Sequence, residues 1–355
     1  MTEYNGEILD CIVIGGGQAG LSCGYYLNKL DIKYLILDAN ASSGGAWQNT
    51  WDSLKIFSPP QQSSLPGFMM PNSDEEYPSK NHVINYLKNY ELRYNLPIHR
   101  PVKIVGVSFS SNIYHLKSVT GFEYKAKTII GATGTWGKPH LPKIAGIESF
   151  QGEVIHSAFY KSPKRYKDKN VLLIGAGNSA AQIYADLYEF AKIYWTVKDK
   201  PIFLPDYVDG RFLFESATKR YKEFVTKGKT STKNDLGSIV QVEPVKKLLS
   251  ENKVQYYDMV SGLTKNGAKW ENGTSINIDT IIFCTGFKAN LDFLEGLEVI
   301  INGRVETNAC RSKISPGLWL VGYGEWTGYA SATLIGVGRT AKKTVKEIKD
   351  YLILQ

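Results

Sequence analysis

The residues best placed to do chemistry together are glycines. Gly15, Gly17 and Gly20 follow an apolar run, Cys11-Ile12-Val13-Ile14, and lead into a segment with Cys23, Tyr26, Leu27 and Leu30 at helical spacing. Gly15 permits a tight turn, Gly17 lets a pyrophosphate approach the backbone, and Gly20 lets helix and strand pack closely. Gln18 and Ala19 fall in the first turn of that helix, where unpaired N–H groups and the positive dipole end suit phosphate. A second apolar run, Tyr34-Leu35-Ile36-Leu37, ends in Asp38, whose carboxylate can take both hydroxyls of a ribose. Strand, glycines, helix, strand and acid together predict a dinucleotide site.

The pattern occurs twice. Val171-Leu172-Leu173-Ile174 enters Gly175-Ala176-Gly177-Asn178-Ser179-Ala180, and a helical run and the strand Ile193–Val197 follow. The offset is 160 residues, from Gly15 to Gly175. The strand endings repeat as well: Ala132-Thr133-Gly134 returns as Cys284-Thr285-Gly286. This internal duplication predicts two dinucleotides on one chain, and so electron transfer between cofactors. FAD suits the first fingerprint, and NADPH and/or NADH would visit the second. From Gly15 to Asp38 is 23 residues, as is from Gly175 to Lys198. Equal spacing predicts Lys198 at the second ribose, attracting a 2′-phosphate, with Asp199 beside it.

The elements needed to hold these groups can be read in order. After Asp38, Gly44-Gly45-Ala46-Trp47 can lie against the cofactor's extended tail. Residues 52–79 form a long Pro-, Ser- and Gly-rich loop of the kind that builds sites. A helix from about Asn81 carries Val83, Leu87, Tyr90 and Tyr94 on one face, and Pro97 stops it. Val102–Phe109, Tyr114–Val119 and Phe122–Lys125 read as a meander, with a separate strand from Thr128 to Ala132. Leu318–Gly322 and a C-terminal helix are best used to complete the first sheet. The sequence therefore predicts an α/β fold of two Rossmann-type dinucleotide-binding domains, three-layer ββα/βαβ sandwiches, the second inserted into the first. Residues 1–160 and 285–355 would bind FAD and 161–284 NAD(P)H, with an insertion at about 199–250.

Bulk properties narrow the function classes. Of 355 residues, 43% are hydrophobic and 21% charged, as in globular proteins. No apolar run reaches spanning length and no signal-peptide pattern opens the chain, so a cytoplasmic protein without membrane insertion is expected. The net charge of +8 is spread out. Its densest stretch, Lys219 to Lys233, reads as a solvated face and not a nucleic-acid site. Four cysteines lie far apart without CxxC or metal-ligand spacing, which predicts buried thiols and no metal site.

Between the two units lies Phe150-x-Gly152-x-x-x-His156-x-x-x-Tyr160, which resembles the FxGxxxHxxx(F/Y) signature of flavin-containing monooxygenases. Gly45-Ala46-Trp47 resembles that family's GGxW flavin contact, and Thr133-Gly134 and Thr285-Gly286 its two crossovers. The stretch Gly322 to Gly336, with Thr333 and Leu334, is similar to a compact bacterial branch accepting NADH and NADPH. The resemblance implies that this stretch passes beside the flavin, and that His156 shapes the nicotinamide site. It also implies an NAD(P)H:oxygen monooxygenase acting through a C4a-hydroperoxyflavin on small soft nucleophiles: sulfides, with amines or ketones as further candidates. Where larger members place an Asn that stabilises the oxygenated flavin, this chain has Phe57, and Ser58 is the neighbour able to supply the missing hydrogen bond. An NAD(P)H oxidase or reductase serving oxygen, a quinone or a metal species stays open, as does a non-catalytic sensor of nicotinamide redox state. The partners expected are a small-molecule substrate and molecular oxygen. Spacing leaves a homodimer open.

Overall fold

A computed structural model of the chain describes residues 4–227, 238–328 and 330–355. The expected 199–250 insertion, the basic run with Lys229 and Lys233, and the Gly322–Gly336 stretch with Tyr329 each fall partly outside the described residues.

The first fingerprint is strand β1 (Ile8–Ile14), helix α1 (Gln18–Lys29) and strand β2 (Tyr34–Leu37). Helix α2 (Lys80–Arg93) and strands β3 (Ile98–His99), β4 (Ile104–Ser110), β5 (Ile113–Ser118) and β6 (Glu123–Gly131) follow. The expected third meander strand and the separate strand at Thr128 are one continuous strand, β6. Its first half pairs antiparallel with β5, and its second half pairs parallel with β1 and with a strand from the far end of the chain. Continuity lets one strand serve both the excursion and the parallel sheet.

The chain then leaves for a second, all-parallel sheet. It comprises β7 (Glu153–His156), β8 (Asn170–Ile174), helix α3 (Asn178–Leu187) and β9 (Lys192–Val197). Helices α4 (Gly210–Lys227) and α5 (Glu243–Ser250) precede β10 (Tyr257–Asp258). A meander of β11 (Gly262–Thr264), β12 (Gly267–Lys269) and β13 (Ser275–Asn277) leads to β14 (Thr280–Phe283). The order is β10-β9-β8-β14-β7. The expected domain boundary at 160 therefore falls beyond a strand of the second sheet, because β7 pairs with β14 along its whole length.

The return passes the hairpin β15 (Ile300–Ile301) and β16 (Arg304–Val305), then β17 (Thr307–Asn308), β18 (Arg311–Ser312) and β19 (Leu318–Leu320). Helix α6 (Leu334–Ile353) closes the chain. The first sheet runs β17-β18-β19-β6-β1-β2-β3, with the second unit inserted between β6 and β17.

Strand periodicity of two explains the layers. Cys11 and Val13 of β1 face a core with Leu21 and Leu27 of α1, Leu87 of α2 and Val337, Ala341 and Val345 of α6. Ile12 and Ile14 face the β4–β5 meander through Val107 and Leu116. The second sheet repeats this. Val171 and Leu173 meet α3 and α5 through Ile183, Leu187 and Leu248, while Leu172 and Ile174 meet the β11–β13 side through Leu263 and Ala268.

Candidate functional site

Both glycine turns end against a backbone carbonyl. Gly15 has φ +113 and Gly175 φ +131, where L side chains are strained. A Cβ on Gly15 would lie 2.4 Å from the Ala132 carbonyl oxygen, and one on Gly175 2.3 Å from that of Cys284. The duplicated strand endings are therefore the walls of duplicated turns. Gly17 differs: a Cβ there would meet only the Cα of Gly45, at 3.9 Å, and otherwise project into open space. No side chain caps α1 at Gly17.

That open space belongs to a cavity of about 580 Å³ between the two units. Of the residues singled out from sequence, it is lined by Gly15, Gly17, Gln18, Ala19, Asp38, Gly45, Ala46, Trp47, Phe57, Ser58, Ala132, Thr133, Gly134, Asn178, Ser179, Gly322, Thr333 and Leu334. The N-termini of α1, α3, α4 and α6 thus border one chamber. Gln18 knits two of them to the loop: its Nε2 donates to the Ala332 carbonyl at 2.6 Å and its Oε1 accepts from Trp47 Nε1 at 3.2 Å. Thr133 accepts and donates on the far wall, bonded to Tyr323 at 2.7 Å and to the Asn290 carbonyl at 2.5 Å.

The 52–79 loop is ordered by α2 tyrosines. Tyr86 accepts from the Leu65 N–H and donates to the Phe68 carbonyl, both at 2.7 Å, and Tyr90 donates to the Pro66 carbonyl at 2.7 Å. The loop presents Phe57 to the cavity, while the Phe57 carbonyl accepts from the Gly210 N–H at the start of α4, at 2.7 Å. Spacing gave the insertion no place. Among its described residues, Gly210 and Phe214 of α4 stand in the cavity wall.

The other singled-out residues are not among those lining the cavity. Gly20 packs on the Gly15 carbonyl, and Gly177 and Ala180 build the second turn. Asn178, although in the wall, spends its side chain on the insertion: it donates to the Ser238 carbonyl at 3.0 Å and accepts from the Val240 N–H at 2.9 Å. Thr285 donates to the His140 carbonyl. Gly286 belongs to a ribbon in which the two inter-unit connections run side by side, with His140 N–H donating to the Gly286 carbonyl at 2.9 Å.

His156, expected from sequence to shape the nicotinamide site, is hydrogen-bonded into that ribbon and does not line the cavity. It is 1% exposed. Its Nδ1 accepts from the Ala158 N–H at 3.1 Å, so Nε2 carries the proton and donates to the Gly286 carbonyl at 3.0 Å. Burial pushes its pKa below the ordinary 6.5 despite the bond to Gly286. The unfolded chain binds a proton there that the folded one refuses. Stability is therefore unaffected above pH 6.5 and falls as pH drops below it, by up to about 1.4 kcal/mol per pH unit. The melting temperature of His156→Gln should depend less on pH between 7 and 5.5 than that of the parent; parallel curves would contradict the reading.

Lys198 is also displaced from its expected role. Ile14 pairs with Leu37, whereas Ile174 pairs with Thr196. Counted from the start of each helix the path to this pairing is one residue shorter in the second unit, where α3 has 10 residues to the 12 of α1, so the counterpart of Asp38 is Val197, which is 4% exposed and apolar. Lys198 and Asp199 follow it as exposed residues. Equal spacing is not equal register.

Asp38 has company that the sequence did not announce. Its Oδ2 accepts from Arg100 Nε at 2.7 Å, and its Oδ1 accepts from the Asn40 N–H at 3.2 Å and Nδ2 at 3.0 Å. Arg100 forks onto Glu91 at 2.7 and 2.8 Å, and Glu91 also accepts from Ser43 at 2.7 Å. Burial opposes the charge on Arg100, but the two carboxylates outweigh it and hold its pKa above the usual value. A lone arginine after a two-residue strand carries no sequence signal. Its role follows from β3 lying beside β2.

All four cysteines are free and buried, and none lines the cavity. Burial pushes the Cys11 thiol up to about 12 and Cys310 up to about 11. Among the described residues there is no cluster able to hold a metal, and no helix is long and apolar enough to cross a membrane.

Residues 12–322 match the model of the pyridine nucleotide-disulphide oxidoreductase family. The chain is similar to a flavin-containing monooxygenase of Stenotrophomonas maltophilia, with 40% identity, 98% of this chain and 99% of that one covered, and a TM-score of 0.89. It is also 31% identical to the uncharacterized oxidoreductase CzcO of Bacillus velezensis, over 96% of this chain and 99% of that one. A probable indole-3-pyruvate monooxygenase of Arabidopsis thaliana, YUCCA1, is 27% identical over 96% of this chain and 89% of its own.

Proposed function

The chain belongs to the pyridine nucleotide-disulphide oxidoreductase family, among its flavin monooxygenases, and from that premise we propose that it oxygenates small soft nucleophiles, sulfides first, at the expense of NAD(P)H. The observation that supports this reading best is the convergence of α1 and α3 on one cavity that no cysteine reaches. Electrons entering there have no thiol pair to go to.

The residues fit FAD. The empty space over Gly17, the uncapped start of α1 and the buried carboxylate of Asp38 suit pyrophosphate and ribose, and the start of α6 faces the same chamber. When bound, the flavin supplies hydride acceptance and oxygen activation at its C4a carbon, the route expected from sequence. Trp51, Leu54, Ile56, Phe57 and Phe214 give the chamber apolar walls. In the coupled reaction NAD(P)H, a proton, oxygen and a sulfide give NAD(P)+, water and a sulfoxide. In the uncoupled one, NAD(P)H, a proton and oxygen give NAD(P)+ and hydrogen peroxide.

The deciding experiment measures sulfoxide, peroxide and NADPH with saturating thioanisole. Sulfoxide should account for most of the NADPH, and peroxide for the remainder. Peroxide equal to NADPH, with no sulfoxide, would replace the reading by an oxidase.

The choice of nicotinamide is expected to be loose. Lys198 remains an exposed cation one residue beyond the second ribose position, and such a contact is worth about 1 kcal/mol, several-fold in affinity. Lys198→Ala should raise KM for NADPH several-fold at low salt and leave NADH unchanged. Equal losses for the two cofactors would remove Lys198 from the site.

A further inference from the structure

The cavity that Phe57 lines also has Ser58, Gln62, Ser63 and Thr135 from the first unit, and Gln182 from α3, among its polar residues. Dry oxygen chemistry needs a fixed donor aimed at developing charge, and a donor already committed elsewhere cannot serve. Ser63 Oγ donates to the Ser58 carbonyl at 3.3 Å. Ser58 Oγ is turned against the start of α4, where a Cβ on Gly210 would fall 2.1 Å from it. Ser58, the donor expected from sequence, thus packs against the backbone of Gly210. Thr135 offers a short hydroxyl, and Gln182 projects from the helix that serves the nicotinamide.

Gln62 shares the loop of Phe57 and is set by a turn of that loop. It ends a tight turn, Pro60–Gln62, five residues beyond Phe57. Its backbone N–H is fixed on the Pro59 carbonyl at 3.0 Å, so the turn is set. Its neighbour Gln61 points away and donates to Asn72 at 2.9 Å. The Gln62 carboxamide lines the cavity half-buried and has no hydrogen-bond partner among the described residues. That leaves its amide N–H free to donate to a ligand in the cavity.

We propose that the Gln62 carboxamide supplies, from the next turn of the chain, the hydrogen bond toward the reacting edge of the cofactor that Phe57 cannot make. The inference rests on the monooxygenase reading for its consequence, but not for its geometry. A donor there retains oxygen on the path to substrate, and its loss diverts the same two electrons and two protons to hydrogen peroxide.

The test compares the parent holoenzyme with Gln62→Leu and with Gln62→Glu, which keeps the shape but donates nothing once ionised. Both variants should hold FAD fully and reduce it anaerobically with NADPH at the parent rate. Peroxide per sulfoxide with thioanisole should rise roughly ten-fold, the effect of one hydrogen bond to an ionised group. The visible absorption maxima of the resting oxidised protein should shift in both, a readout independent of turnover. Phe57→Asn added to Gln62→Leu should restore the coupling. Unchanged leak and unchanged spectrum in both variants would overturn the proposal, as would equal leak with and without Phe57→Asn. If the parent makes peroxide alone, the monooxygenase reading fails, and the spectral shift by itself decides the place of Gln62.

Discussion

Gly17→Val should purify colourless. In the folded chain a Cβ at this position meets nothing of the protein closer than the Gly45 Cα at 3.9 Å, so the substitution has room and the apoprotein should fold. The two methyl groups would fill the volume over the uncapped start of α1, where backbone N–H groups await an anion. A pyrophosphate held off by one methyl layer loses several charge-assisted hydrogen bonds at once, each worth roughly 1.5–3 kcal/mol. Loss of two would weaken FAD binding by at least about a hundred-fold. Absorbance at the flavin maximum against protein concentration gives the occupancy, and the melting temperature of the apoproteins controls for folding. Full occupancy in Gly17→Val would displace the flavin from this turn. Gly15→Val is the contrasting case: its Cβ would collide with the Ala132 carbonyl at 2.4 Å, so it should fail to fold, and its loss of colour would say nothing about phosphate.

That contrast also marks what was legible in the sequence. Turns, strands and the inserted second unit could be read because backbone chemistry dictates them. Gly15 and Gly175 tolerate no substitute, and β1 and β8 are apolar on both faces because both are covered. Residues whose role depends on a neighbour far along the chain were not legible. Arg100 reaches Asp38 because β3 lies beside β2, and the start of α4 reaches the Phe57 carbonyl through the Gly210 N–H. The register at Lys198 was not legible either. Counting from glycine to strand end assumed equal helix-and-return lengths, and the shorter α3 puts buried Val197 in register with Asp38, one residue before Lys198. His156 was read from a signature as a site residue, but the fold consumes both of its ring nitrogens in holding the connection between the units.

The second large effect should come from Arg100→Leu. Arg100 stands between Asp38 and Glu91 with side-chain exposures of 13%, 3% and 10%, so two carboxylates share one cation out of water. Removing it leaves two like charges facing each other across the vacated guanidinium. Breaking a buried pair by deleting one partner costs on the order of 3–5 kcal/mol, against 0–1 for a surface pair. Urea unfolding should register that loss, and FAD should leave with it as Asp38 turns away from its companion. Arg100→Lys should be intermediate, since one ammonium cannot reproduce both the Nε contact to Asp38 and the fork onto Glu91. The discriminating variant is the double one, Arg100→Leu with Glu91→Gln. If uncompensated charge is the cause, neutralising Glu91 in the Arg100→Leu background should regain a sizeable part of the stability, although in the parent it removes a partner from Arg100 and should cost. A double variant no more stable than Arg100→Leu alone would mean that lost packing of the guanidinium dominates, and that the carboxylate of Asp38 is held in place by Asn40.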